Sequence, residues 1–143
     1  MDFAIAVDIN APPDVVWTVI RDGERWPEWT PTVTSVELLT PGPLAVGSRA
    51  RIRQPKLPPA IWTVTQVEDR GFTWVTRSPG VLVTARHWAE PVGTGSRGHL
   101  SLRFEGLFGP LVGRLTRSLN ERYLSLEAAG LKQRSEELAR STM

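Results

Sequence analysis

Gln54, Thr76, His87 and Tyr123 are the polar residues that strand and helix periodicity places on otherwise apolar inward faces. Buried polar groups need partners, so this set either closes hydrogen bonds within a core or faces water and a ligand in a cavity. An imidazole titrates near neutrality, so His87 could move a proton; the same residue also reads as a satisfied core or cavity-rim histidine, or as a ligand contact. Tyr123 has the same three readings, and Gln54 also fits a polar strand end. The chain has no cysteine and two histidines, which excludes thiolate nucleophiles and disulfides and leaves most zinc sites short of ligands. Asp14, Asp22 and Glu28 make no recognisable carboxylate pair. No nucleophile elbow occurs, and Gly106-Leu107-Phe108-Gly109 lacks the features of a phosphate loop. No cofactor and no metal are expected.

Aromatic residues supply the second kind of chemistry. Trp26, Trp29, Trp62 and Trp74 have large flat faces that serve either a core or a ring-containing apolar ligand. Trp17 reads as core. Trp88 projects outward beside Arg86, which marks either a register error or a small apolar patch for self-association. Arg49, Arg51, Arg53, Arg77, Arg86 and Arg103 alternate with threonines and lack interleaved aromatics, the pattern of a solvated sheet face rather than a nucleic-acid surface.

These residues need elements to position them. The 143 residues with a net charge of +2 suit one domain, 1–143, with a substantial core. No signal peptide or membrane span is evident, so a cytoplasmic protein is expected. Phe3, Ile5, Val7 and Ile9 alternate as a strand. Pro12 and Pro13 open a short helix with Val15, Val16, Val19 and Ile20 on one face, and Arg25 to Pro31 predicts a helical turn. Six strands follow: Thr32 to Leu39, Gly47 to Gln54, Ile61 to Glu68, Phe72 to Arg77, Val81 to Ala89 and Ser96 to Glu105. Four-residue loops at 77–80 and 92–95 set Trp74 opposite Val83, Ala85 opposite Leu102 and His87 opposite Leu100. The same face rule pairs Ile52 with Val64 and Gln54 with Trp62, and puts Val64 beside Trp74. His87 then faces inward and His99 outward, which separates the two histidines. Pro110 opens a helix to about residue 140, continuous to about 138, with Leu111, Leu115, Leu119, Leu126 and Tyr123 on its apolar stripe. Gly113 and Gly130 mark close approaches or a bend.

A strand, two short helices, six strands and a long terminal helix make an α+β fold in which a curved antiparallel sheet of about seven strands grips one helix. With Ala11-Pro12-Pro13-Asp14-Val15-Val16-Trp17, Arg25-Trp26-Pro27-Glu28-Trp29-Thr30-Pro31, Gly47-Ser48-Arg49 and Phe72-Thr73-Trp74 in that order, the whole chain resembles the START-like (START/Bet v 1) helix-grip superfamily. More closely it resembles the bacterial polyketide cyclase/dehydrase-like (SRPBCC) group. Superfamily members include lipid and hormone carriers, aromatase/cyclases, oxygenase subunits and chaperone cofactors, so the resemblance implies a fold more firmly than an activity. The iron ligands of the oxygenases have no counterpart here. The expectation is a hydrophobic ligand, lipid-like or polyaromatic, held between sheet and helix by Trp29, Gln54, Trp62, Trp74, Thr76, His87, Phe104, Leu115, Leu119 and Tyr123. The alternatives are a cyclase/aromatase-type enzyme using His87 or Tyr123, and a protein-interaction module. A homodimer is a further expectation.

Overall fold

The computed structural model describes residues 1–141. Seven antiparallel strands form one sheet in the order β1-β7-β6-β5-β4-β3-β2. They are β1 Asp2–Ile9, β2 Ser35–Leu38, β3 Arg49–Arg53, β4 Ala60–Glu68, β5 Gly71–Ser78, β6 Val81–Val92 and β7 Gly95–Glu105. Helix α1, Pro13–Arg21, and a 3-10 turn, Gly23–Glu28, carry the chain from β1 to the opposite edge. From β2 the strands return as successive hairpins until β7 closes against β1, where Phe3 opposes Leu102 and Ile5 opposes Leu100. This is the α+β helix-grip fold expected from the order of elements.

Face assignment survives two register corrections. Ser78 pairs with Val81, so Pro79-Gly80 is a two-residue turn and Trp74 opposes Ala85 instead of Val83. Gly80 takes a φ of +75° there, a conformation that glycine adopts without strain. Ala50 opposes Trp62 and Ile52 opposes Ala60, four residues from the expected partner. Both slips are even, and because side chains alternate with a period of two, an even slip leaves every residue on its face. Ala85 opposite Leu102, His87 opposite Leu100 and Val64 beside Trp74 stand as expected. On the outer face Arg86 makes a two-pronged contact with Glu68 at 2.8 and 2.7 Å, Arg51 reaches Glu37 at 2.9 Å, and Arg103 reaches Asp2 at 2.9 Å. Trp88 does face outward. It stacks on His99 at 4.5 Å with Arg86 held 3.8 Å from its ring centroid, and His99 meets Glu90 at 2.8 Å.

The terminal helix corrects the expectation twice. It is interrupted at Thr116, between α2 Gly109–Leu115 and α3 Arg117–Ser141. Thr116 takes φ −104°, ψ 14°, and its hydroxyl donates to the Val112 carbonyl at 2.7 Å, a back-bond that competes with regular helix geometry. The inward stripe is also rotated from the leucines. Leu111 and Leu115 are 52% and 76% exposed and Leu119 is half-buried, while Gly113, Asn120, Leu124, Ala128, Leu131 and Ser135 are buried. Helix α3 packs mainly on β1, β7 and α1. Leu124 and Ala128 join Phe3, Leu100 and Phe104 in one core cluster, and Leu131 joins Ile9, Val16, Ile20, Trp26 and Phe72 in the other. Over β3 to β6 the sheet and helix stand apart.

Candidate functional site: a cavity between sheet and helix

The gap is a cavity of about 320 Å³. Its floor comes from inward positions of the curved strands: Ile52 on β3, Trp62 on β4, Trp74 and Thr76 on β5, Val83, Ala85 and His87 on β6, and Leu100, Leu102 and Phe104 on β7. Val112, Thr116, Asn120, Tyr123, Leu124 and Glu127 roof it, and Trp26 and Val33 form a side wall. Gln54, Leu57, Pro58 and Ser78 stand at the mouth, where Leu57, Pro58 and Ser78 are exposed. Of the residues expected at the site, Gln54, Trp62, Trp74, Thr76, His87, Phe104 and Tyr123 line this cavity. Trp29, Leu115 and Leu119 do not. Leu115 and Leu119 lie on the wrong side of the terminal helix, and Trp29 lines a separate polar cleft with Glu28, Gln133, Arg134 and Glu137.

Trp26 takes the place expected for Trp29. Its indole N–H donates to the Ile20 carbonyl at 3.1 Å, which fixes the ring, and its centroid lies 5.4 Å from Trp74 and 5.3 Å from His87. Phe72 stacks on His87 at 5.0 Å with an 11° interplanar angle, and Trp62 lies 5.6 Å from Trp74. The imidazole is thus packed among aromatic rings. Its Nδ1 is buried with no hydrogen-bond partner among the described residues. Burial pushes the His87 pKa down to about 4, so the ring is neutral at pH 7 and too weak a base to hold a proton there. It can still exchange a hydrogen bond with a bound molecule. Tyr123 sends its hydroxyl to the Pro55 carbonyl and so ties α3 to the β3–β4 loop across the mouth. Burial pushes the phenol above its ordinary value.

Glu127 is a further polar group of the cavity roof, one that helix periodicity did not single out. Its carboxyl is held by Thr32, whose hydroxyl donates to Oε1 at 2.9 Å, and Thr32 in turn lies 2.9 Å from the Thr30 hydroxyl. Each hydroxyl has one proton; Thr32 spends its own on Glu127, so Thr30 must be the donor to Thr32. Both threonines are 2% exposed or less. Thr30 also borders the polar cleft of Glu28 and Arg134, so a chain of hydroxyls crosses the wall from that cleft to the cavity carboxyl. Burial pushes the Glu127 pKa up to about 7, against the opposing effect of the Thr32 hydrogen bond. Among the described residues no cation pairs with it. Near neutrality this one carboxyl can therefore give or take a proton inside an apolar chamber. The signal that could have found it is the run Asn120, Leu124, Glu127, Leu131, which is helical in spacing but mixed in polarity. Among the described residues no three His, Asp or Glu side chains gather to hold a metal ion, and no helix is long and apolar enough to cross a membrane.

Known proteins resemble this arrangement. The sequence profile of the family described as polyketide cyclase / dehydrase and lipid transport matches residues 2–136. A search of curated proteins returns no significant match. Among solved structures, a Thermus thermophilus protein aligns with a TM-score of 0.75 at 20% identity, over 94% of this chain and 97% of that one. A START superfamily protein from Mycobacterium smegmatis aligns with a TM-score of 0.70 at 16% identity, over 99% of each chain. The di-domain ARO/CYC protein BexL of the BE-7585A biosynthetic pathway aligns at 0.69 and 19% identity, over 95% of this chain and 46% of its own. At these identities the structural likenesses establish the fold.

Proposed function

The chain belongs to the polyketide cyclase / dehydrase and lipid transport family, and from that premise we propose that its cavity binds a hydrophobic small molecule, lipid-like or polyaromatic. One observation carries the reading: an aromatic-walled chamber of about 320 Å³ between sheet and helix, at the lower end of the roughly 300–1,000 Å³ usual for small-molecule sites. Trp26, Trp62 and Trp74 offer ring faces, while His87, Asn120 and Glu127 offer the few polar contacts that orient a ligand. Titration with the neutral fluorophore N-phenyl-1-naphthylamine tests this. Saturable one-to-one binding that quenches tryptophan emission and raises the melting temperature is expected. Trp74→Ala should weaken it by tenfold or more and Arg51→Ala, on the outer face, should not. Binding that never saturates, or ignores Trp74, would sink the reading.

Glu127 favours a second reading, a cyclase-type reaction on a bound polyketone chain. Its carboxylate would take a proton from a carbon next to a carbonyl, and the resulting enolate carbon would bond to a second carbonyl carbon. The new alkoxide would take a proton and leave Glu127 as it began. His87, neutral and enclosed by rings, would position the chain and not act as base. Turnover lost in Glu127→Gln with affinity intact would select this reading; equal loss of both would return the residue to binding.

A further inference from the structure

The three segments that frame the cavity mouth share one composition. They are the loop 54–59, the turn 77–80 and the stretch 106–117 that contains α2. Together they contain no Asp or Glu, although the chain has 15 acidic residues. They carry Lys56, Arg114 and Arg117, all exposed and none with a carboxylate partner among the described residues. On the outer sheet face, Arg51, Arg86, Arg97 and Arg103 each meet a carboxylate instead. Large apolar side chains stand among these cations. Leu107 is 83% exposed, Leu115 76%, Leu111 52% and Phe108 50%. The segments belong to one rim: the Phe108 N–H donates to the Gly80 carbonyl at 2.9 Å, Tyr123 bonds to Pro55, and Leu57, Ser78, Val112 and Thr116 all reach the cavity.

Leucines exposed to this degree have a solvation cost that water alone does not offset, and clustered exposure marks a surface that meets something apolar. Unpaired cations among them require a partner with negative charge at the edge of an apolar layer, which is the profile of an anionic bilayer surface. A second copy of the chain fits less well. Across a two-fold axis the same rim would meet itself, bringing arginine to arginine with no carboxylate between. We infer that the cavity mouth docks on an anionic phospholipid surface, with Leu107, Phe108, Leu111 and Leu115 in the headgroup layer and Lys56, Arg114 and Arg117 against the phosphates. The chamber would then open toward the membrane, and an apolar ligand would pass between the two without crossing water.

The inference goes beyond the ligand reading, and the two fail separately, since one is read on vesicles and the other with a soluble fluorophore. Co-sedimentation with vesicles of phosphatidylcholine alone, and of phosphatidylcholine mixed with phosphatidylglycerol, tests it. Partition onto the mixed vesicles that weakens with added salt is expected. The double variant Arg114→Gln/Arg117→Gln should lose roughly ten- to thirtyfold in partition. Leu111→Ser/Leu115→Ser should lose at least as much, and Arg49→Gln on the sheet should lose little. All of these side chains are exposed, so unchanged melting curves will show that the fold is kept. Absence of partition onto anionic vesicles, or partition indifferent to both double variants, would overturn the inference. Self-association that Leu115→Ser abolishes would overturn it too, by assigning the rim to a second copy.

Discussion

Thr32 donates its hydroxyl proton to Glu127 at 2.9 Å, joining residues 95 positions apart. One lies just past the 3-10 turn and the other on the inward side of α3, so their meeting depends on how the sheet seats the helix. The contact puts a titratable carboxyl into an apolar chamber that also holds His87.

Those two groups give stability opposite dependences on pH. Glu127 rises from 4.5 to about 7 on folding, so between these values the folded state holds the extra proton and stability falls as pH rises. His87 drops from 6.5 to about 4, so between these values the unfolded state holds the extra proton and stability rises with pH. Each effect is on the order of 3 kcal/mol. They offset one another from about pH 4.5 to 6.5. Urea midpoints of Glu127→Gln should therefore climb across that window and those of His87→Gln should fall. A flat profile for Glu127→Gln would show that His87 is solvated, and a flat profile for His87→Gln would show the same of Glu127.

The orientation of the terminal helix can be read from two leucines. Leu124 is 5% exposed and Leu115 is 76% exposed. Leu124→Ala should cost about 2–5 kcal/mol, from lost burial and the cavity left behind. Leu115→Ala should stay within about 0.5 kcal/mol of the parent in chemical denaturation.

Gly130 should resist a substitution that helix propensity favours. Alanine is worth about 1 kcal/mol over glycine inside a helix, but a Cβ at Gly130 would overlap the Trp29 carbonyl oxygen, a backbone atom. Gly130→Ala is expected to lower stability by about 1–3 kcal/mol. At Gly113 an added Cβ would meet the Met1 sulfur at 3.1 Å and Cβ and Cγ of Phe104 at 3.3 Å, contacts that shifts of a few tenths of an ångström relieve and that the helix preference for alanine offsets. Gly113→Ala should be close to neutral by thermal melting.

Tyr123→Phe removes the tie between α3 and Pro55. A net loss of about 1 kcal/mol is expected. Its effect should be concentrated at the mouth, with faster amide exchange in the loop 54–59 and faster release of a bound fluorophore by stopped flow. Unchanged exchange in that loop would mean that the tie does not hold the mouth.

The order of elements along the chain, the inward set on β3 to β7 and the helix-grip fold were legible in the sequence, because alternation with period two names a face without naming a partner. Even slips at β3–β4 and β5–β6 changed neighbours and left Trp62, Trp74, Thr76 and His87 facing inward. The helix was not legible in that way. Hydrophobic periodicity assumes that the apolar stripe is the buried one, and here the cavity roof is Thr116, Asn120, Tyr123 and Glu127 while Leu111 and Leu115 face out. Rotation of α3 about its axis, the break at Thr116 and the choice of Trp26 over Trp29 for the cavity wall all follow from packing between distant segments. Local pattern determined which residues each strand turns inward; only the tertiary structure decided which helix face they meet, because a helix that roofs a cavity has polar contacts to make and its polarity no longer marks its exposure.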